Sequence, residues 1–376
     1  MKIVVSKMVI EDATVLLSQV INKQNALPVL GDILCEVKDK QMKMTASDGE
    51  VTMSTTIQLE TMEGDGRFCV PAFRLKDALS QLTEQPVTIL ATTESDMKFI
   101  LKHESGETFF QMDNADEYPL PADAKFDVEL IDIKGELVRA ALIRSLFAMA
   151  DDDLRPIMSG TCLRVADGSF DIVASDGHKM VKSHHPKLEY VNCDVSGELV
   201  MSRKVSKILS KIIPAEPITF KWNDTNCHIH MSKCDITFRR IDGKYPNYNS
   251  IIPVSFPIEV VVSRPRMMDG IKKVLPFTNT NSMLLKAHFN VDTLTLDADD
   301  YDLGQGATEQ IPIETASEPI QIGFKGNTLL NILQKLDGLE CVISMTDPSH
   351  QVLIEPQEQQ EDCQVLMLIM PLLIND

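Results

Sequence analysis

The stretches AFRLKDALSQLT at 72–83, SRKVSKILSKII at 202–213 and GNTLLNILQKLD at 326–337 are one pattern written three times. Leu75, Ala78, Leu79 and Leu82 stand at i, i+3, i+4 and i+7, as do Val205, Ile208, Leu209 and Ile212, and again Leu329, Ile332, Leu333 and Leu336. That spacing puts the apolar side chains on one stripe of a helix. The offsets between copies are 130 and 124 residues. A second marker, TASDGEV at 45–51, returns as VASDGHK at 173–179 and, degraded, as DADDYDL at 297–303, with offsets of 128 and 124. A third is the proline near the end of each unit, Pro119, Pro246 and Pro371, spaced 127 and 125. Each marker is short, and ASDG alone is a plain turn tetrapeptide. Their shared order and period carry the reading.

Three units of about 125 residues fill the 376-residue chain, each within the size range of a single domain. The expected domains are 1–123, 124–253 and 254–376. Each unit also carries an N-terminal helix pattern, near 8–22, 135–150 and 264–275. Alternating stretches such as QMKMTA at 41–46 and CHIHM at 227–231 have the period of two of half-buried strands. The expected class is therefore α+β, with two helices packed on antiparallel sheet in each repeat. Sheets in series have edges that want pairing, and closure of two copies into a ring would satisfy them.

Composition bounds the function. Forty-four per cent hydrophobic and 24% charged residues is ordinary for a folded soluble chain. At the N-terminus, Lys7, Glu11 and Asp12 interrupt any signal-peptide anatomy, and the apolar run from Val365 to Ile374 is broken by Pro371, so a cytoplasmic protein without a membrane span is expected. The eight cysteines, Cys35, Cys69, Cys162, Cys193, Cys227, Cys234, Cys341 and Cys363, form no CxxC pair and read as small buried hydrophobes.

A net charge of −19 argues against a nucleic-acid coat protein, but charge is sorted along the chain. Arg203, Lys207 and Lys211 project opposite the apolar stripe of 202–213, with Lys204 beside them. Arg264, Arg266, Lys272 and Lys273 share their segment with a single Asp269, and Arg139 and Arg144 lie on the 135–150 helix. Acidic runs, Asp151 to Asp153, Asp297 to Asp302 and Glu355 to Asp362, fall outside the helices or at their ends. Helices of this kind on one surface would offer cations to phosphates without reading bases.

No catalytic set appears: GxSxG, HExxH, Walker and GxGxxG patterns are missing. His228 and His230 share one side of a strand but lack a third metal ligand, His184 and His185 sit side by side in an expected loop, and Asp176-Gly177-His178 reads as a turn. Neither a cofactor nor a metal is expected.

The segments LPVLGDILCEV at 27–37, VASDGHKM at 173–180 and IDGKYPNYNSIIP at 241–253, with a hydrophobic tail containing Met370-Pro371, resemble the DNA polymerase III beta subunit family, the bacterial sliding clamps. The resemblance covers the whole chain in the same order. It implies a non-enzymatic homodimer of two three-domain protomers, a six-domain ring that encircles double-stranded DNA of any sequence, with helices lining the hole. Further implied partners are a DNA polymerase catalytic subunit, a clamp loader and repair polymerases, which dock short peptides between the second and third domains.

By motif match that cleft falls on Met158, Ser175, Gly177, His178, Lys179 and Met180, on Pro246 and Ile251, and on Leu368, Met370, Pro371 and Leu372. DNA contacts carry over to Gln24, where the family often has a basic residue, and to Arg155. The ring joint carries over to Phe110 of one protomer and Leu275 and Phe277 of another. Two departures stand out: Ser250 occupies the place of a common cleft arginine, and in the tail MPLLIND Leu373 replaces a basic residue, with three residues following. Rival readings are an enzyme built on the histidine strand and a peptide-binding scaffold that never encircles DNA.

Overall fold

The computed structural model describes the chain apart from residues 23, 26, 93–96, 122–123, 152–153, 187–195, 254, 314–318 and 375–376. Cys193, Asp152 and Asp153 therefore lie outside the described residues.

Six α-helices occur among the described residues: α1 (Lys7–Leu17), α2 (Ala72–Ser80), α3 (Gly135–Ser145), α4 (Arg203–Ile212), α5 (Arg264–Val274) and α6 (Gly326–Lys335). All six fall on the expected segments, and α1 and α3 are shorter than expected. The stripes behave as their spacing requires: Leu75 and Leu79 of α2, Val205, Ile208 and Leu209 of α4, and Leu329, Ile332 and Leu333 of α6 are all buried. Burying each such side chain contributes roughly 1.5–3 kcal/mol.

Among the described residues the strands form four antiparallel sheets, of five, eight, eight and four strands. The chain divides into two compact units. The first comprises Met1–Glu136 and Lys211–Arg240, and the second Leu137–Ser210 and Ile241–Asp376. The first unit holds the five-stranded sheet and one eight-stranded sheet, in which Val51–Gln58 of the first repeat pairs with Asp235–Arg239 of the second. The second unit holds the other two sheets, and there Lys179–His185 of the second repeat pairs with Gln364–Ile369 of the third. At both junctions the fourth strand of one repeat meets the last strand of the next. The last strand of the first repeat, Gly106–Gln111, and the fourth strand of the third repeat, Gln305–Pro312, are sheet edges paired on one side only.

His184 and His185 lie on the strand Lys179–His185 rather than in the expected loop. Alternation explains the difference, because His185 points into the core, 1% exposed and stacked on Phe170 at 4.1 Å between ring centroids. The described cysteines are all buried free thiols.

Candidate functional site

The turn at Ser175–Lys179 is held by its own side chains. The Asp176 carboxylate accepts the His178 and Lys179 amides at 2.8 and 2.9 Å, and Ser175 Oγ accepts the Gly177 amide at 3.1 Å. Gly177 takes φ +91°, where a side chain would be strained. Burial pushes the Asp176 carboxyl up, but hydrogen bonds from the Lys179 ammonium and from the His178 and Lys179 amides outweigh it and hold the group below the usual carboxylate range. The Ser175 amide donates to the Tyr245 hydroxyl at 3.0 Å, fixing the turn against the segment before Pro246.

Beside this turn lies a cavity of about 320 Å³. Ser175, Gly177, His178, Lys179, Met180, Ile251, Leu368 and Met370 line it, all of them expected cleft residues. Ser250, Gln351 and Ile369 complete the lining. Sequence reading did not assign Gln351, whose Nε2 donates to the Ile251 carbonyl at 2.9 Å and ties the 347–351 turn to the cavity rim. Ile369 was likewise not assigned; it reaches the cavity because it sits opposite Lys179 in the strand register. Met158, Pro246, Pro371 and Leu372 were expected in the cleft and do not line this cavity; Leu372 lines a neighbouring one with Gly323 and Asp347. Apolar walls with a few polar anchors are what a short peptide needs, with flexible methionines to adapt to it.

The expected cations are placed unequally. Lys207 and Lys211 are exposed, one helical turn apart on the face of α4 opposite its buried stripe. Lys272 and Lys273 are exposed on α5, although Lys273 is engaged by Asp269 at 3.2 Å and Glu309 at 2.6 Å. Arg155 and Gln24 are exposed. Arg203 is half-buried, donating to the Met149 and Ala150 carbonyls at 3.3 and 2.8 Å, so it braces the chain after α3. Arg144 departs from its expected role: it is 9% exposed and paired with Asp337, its guanidinium 3.8 Å from Cys363 Sγ. One position past the exposed Ile143, it falls on the packed side of α3.

The aromatic pair on the Gly106–Gln111 edge corrects another expectation. Phe110 is 8% exposed and stacks on Phe99 at 5.7 Å, whereas Phe109 is 62% exposed with Lys98 Nζ 4.2 Å from its ring centre. Strand alternation puts neighbours on opposite faces, and an assignment displaced by one residue selects the wrong ring. Leu275 is partly buried against the third-repeat core and Phe277 is 38% exposed.

His228 Nε2 and His230 Nδ1 both approach Asp235 Oδ1, at 3.5 and 2.7 Å. Among the described residues no group of three or more histidine, cysteine or acidic side chains is arranged to hold a metal ion. No described helix is long and apolar enough to cross a membrane.

Comparison with known proteins accounts for this arrangement. Family profiles of the DNA polymerase III beta subunit match the chain in sequence: the N-terminal domain at residues 1–122, the central domain at 132–247 and the C-terminal domain at 249–372. The beta sliding clamp of Vibrio cholerae is 23% identical over 352 residues, covering 92% of this chain and 93% of its own length. That of Synechococcus elongatus is 25% identical over 374 residues, covering 95% and 96%. Among solved structures, the Pseudomonas aeruginosa sliding clamp bound to griselimycin superposes with a TM-score of 0.93 at 20% identity, over 100% of both chains. The Bacillus subtilis sliding clamp gives 0.91 at 20% identity over the same share. The chain belongs to the DNA polymerase III beta subunit family.

Proposed function

We propose that this chain is the cytoplasmic sliding clamp of a replicative polymerase, a processivity subunit with no chemistry of its own, which closes as a head-to-tail homodimer around duplex DNA. The observation that carries the ring is the pattern of strand edges. Each internal junction joins the fourth strand of one repeat to the last strand of the next. Two further edges, Gln305–Pro312 and Gly106–Gln111, are that same fourth strand and last strand. A second copy supplies the missing partner for each. Phe109, with Leu275 and Phe277 of the partner copy, provides apolar anchors for the joint. The three domains of this reading are 1–123, 124–253 and 254–376.

Lys207, Lys211, Lys272, Lys273 and Arg155, with Gln24 and Arg203 beside them, face the DNA and touch phosphates rather than base edges, so the ring slides on any sequence. Because topology holds the DNA, a net charge of −19 is compatible with it. The cavity beside Ser175–Lys179 receives peptides of the polymerase catalytic subunit, the clamp loader and repair polymerases, with Met158, Pro246, Pro371 and Leu372 reached by longer ones.

The test is retention on nicked circular DNA after loading by the cognate loader. Release on linearising the circle is expected; equal retention on linear DNA, or none on the circle, overturns encirclement and favours a peptide-binding scaffold. Lys207→Glu with Lys211→Glu should shorten the lifetime on the circle about tenfold and flatten its salt dependence by about two charges. An unchanged salt slope removes α4 from the DNA-facing surface.

A further inference from the structure

The segment after Met370 does not leave the molecule freely. The Met370 amide donates to the His178 carbonyl at 2.8 Å, and two residues on the Leu372 amide donates to the Gly323 carbonyl at 2.8 Å. Gly323 lies inside the strand Ile320–Lys325, an edge of the four-stranded sheet, and forms an antiparallel bridge with Leu372. A glycine within a strand marks a place where another backbone comes close. Here the approach is tight: a Cβ on Gly323 would lie 2.5 Å from the Leu372 carbonyl oxygen, 2.9 Å from Leu284 Cδ1 and 3.0 Å from Ile374 Cγ1. The nearest of these atoms is backbone, so the tail would have to move away.

We propose that Gly323 is a positioning residue for the peptide cleft: by admitting the tail to the sheet edge it holds Met370, a wall of the cavity, from the side opposite His178. The inference rests on reading that cavity as the peptide site. Gly323 itself is absent from that cavity's lining; it lines the neighbouring cavity, together with the tail residues Leu372, Leu373 and Ile374. With both hydrogen bonds made, the wall is fixed before a peptide arrives, and ordering it costs the complex nothing. With the second bond lost, Met370 hangs from one anchor and the bound peptide must order it.

The experiment uses the full-length dimer and griselimycin as probe, with affinity measured by calorimetry and dimerisation and melting temperature followed in parallel. Gly323→Ala should weaken griselimycin about tenfold, the scale of one net backbone hydrogen bond, while dimerisation is unchanged. Leu372→Pro removes the donating amide at a partly exposed tail position and should match it, whereas Leu372→Ala keeps the amide and should bind more tightly than the proline variant. Combining Gly323→Ala with Leu372→Pro should cost no more than either alone. Ile251→Asp, on the cavity rim, separates the two readings. If it abolishes binding while Gly323→Ala and Leu372→Pro bind as the parent does, the positioning role is overturned and the cleft stands. If Ile251→Asp also leaves binding untouched, the cleft reading fails and the role of Gly323 falls with it.

Discussion

The two internal junctions have nearly the same backbone and different side chains. At the first, Asp48 Oδ1 accepts the Glu50 and Val51 amides at 3.0 and 2.7 Å, Gly49 takes φ +93° and the Arg239 amide donates to the Glu50 carbonyl at 3.0 Å. At the second, Asp176, Gly177, Met370 and His178 repeat each of those contacts. Each turn stands beside a cavity of similar size, about 330 Å³ at the first and about 320 Å³ at the second. The walls differ. Thr52, Thr237 and Arg239 occupy the places of Met180, Leu368 and Met370. The same strand pairing thus yields a polar hollow in one unit and an apolar cleft in the other. Strand pairing comes with the repeat; recognition depends on a few substitutions at its edge.

The sharpest way to break that contrast is a matched pair of charges. On the proposed reading of the cavity as a peptide site that takes griselimycin, Met370→Asp should weaken it on the order of a thousandfold, as hot-spot losses do, while Arg239→Asp at the equivalent position leaves affinity unchanged in the same calorimetric titration. Equal effects would mean that the cavity walls do not decide binding.

Acid should separate the two units next. Burial, helped by the Arg144 charge, lowers the His185 imidazole from its ordinary 6.5 to about 4, so the unfolded chain takes up this proton first. Stability from His185 is present above pH 6.5 and is lost as the pH falls toward 4, by up to about 3 kcal/mol. The first junction has Ile57 at the corresponding strand position and no such loss. The first unit holds instead Asp32, on the strand Asp32–Lys38; burial and the Asp113 charge raise its carboxyl from 3.8 to about 7. A raised carboxyl works the other way, adding stability as the pH falls from 7 toward 3.8. Hydrogen exchange between pH 7 and 4 should therefore show peptides of the second unit losing protection ahead of those of the first, and His185→Leu should narrow the gap. Parallel loss in both units would contradict the assignment.

The junction proposed between copies should give the smallest effect. Phe109→Asp should weaken dimerisation by about 2 kcal/mol in sedimentation equilibrium, and Phe110→Leu, inside the core, should leave the association constant nearly unaltered while lowering the melting temperature. The reverse ranking would restore Phe110 as the anchor.

Much of this was legible in the residues. Helical stripes and the ASDG marker located all six helices and the turn that shapes the cleft, because both depend on local spacing. What could not be read locally was facing. Phe109 and Phe110 are equally aromatic, and only strand register says which one looks outward. Arg144 looks like any helical cation until Asp337, far along the chain, is brought to it. Gln351 and Gly323 carried no signal of their own, since their roles come from what other segments place against them.

The unlike edges left at the two ends have a consequence for direction. A joint between two copies of one edge would turn the second protomer over, whereas a joint between unlike edges carries it round by rotation alone. In the proposed ring both protomers would then present the same side, and the two proposed clefts would open toward it together. On that proposal a polymerase approaching the ring would meet a front and a back, and partners sharing the cleft would compete for the front.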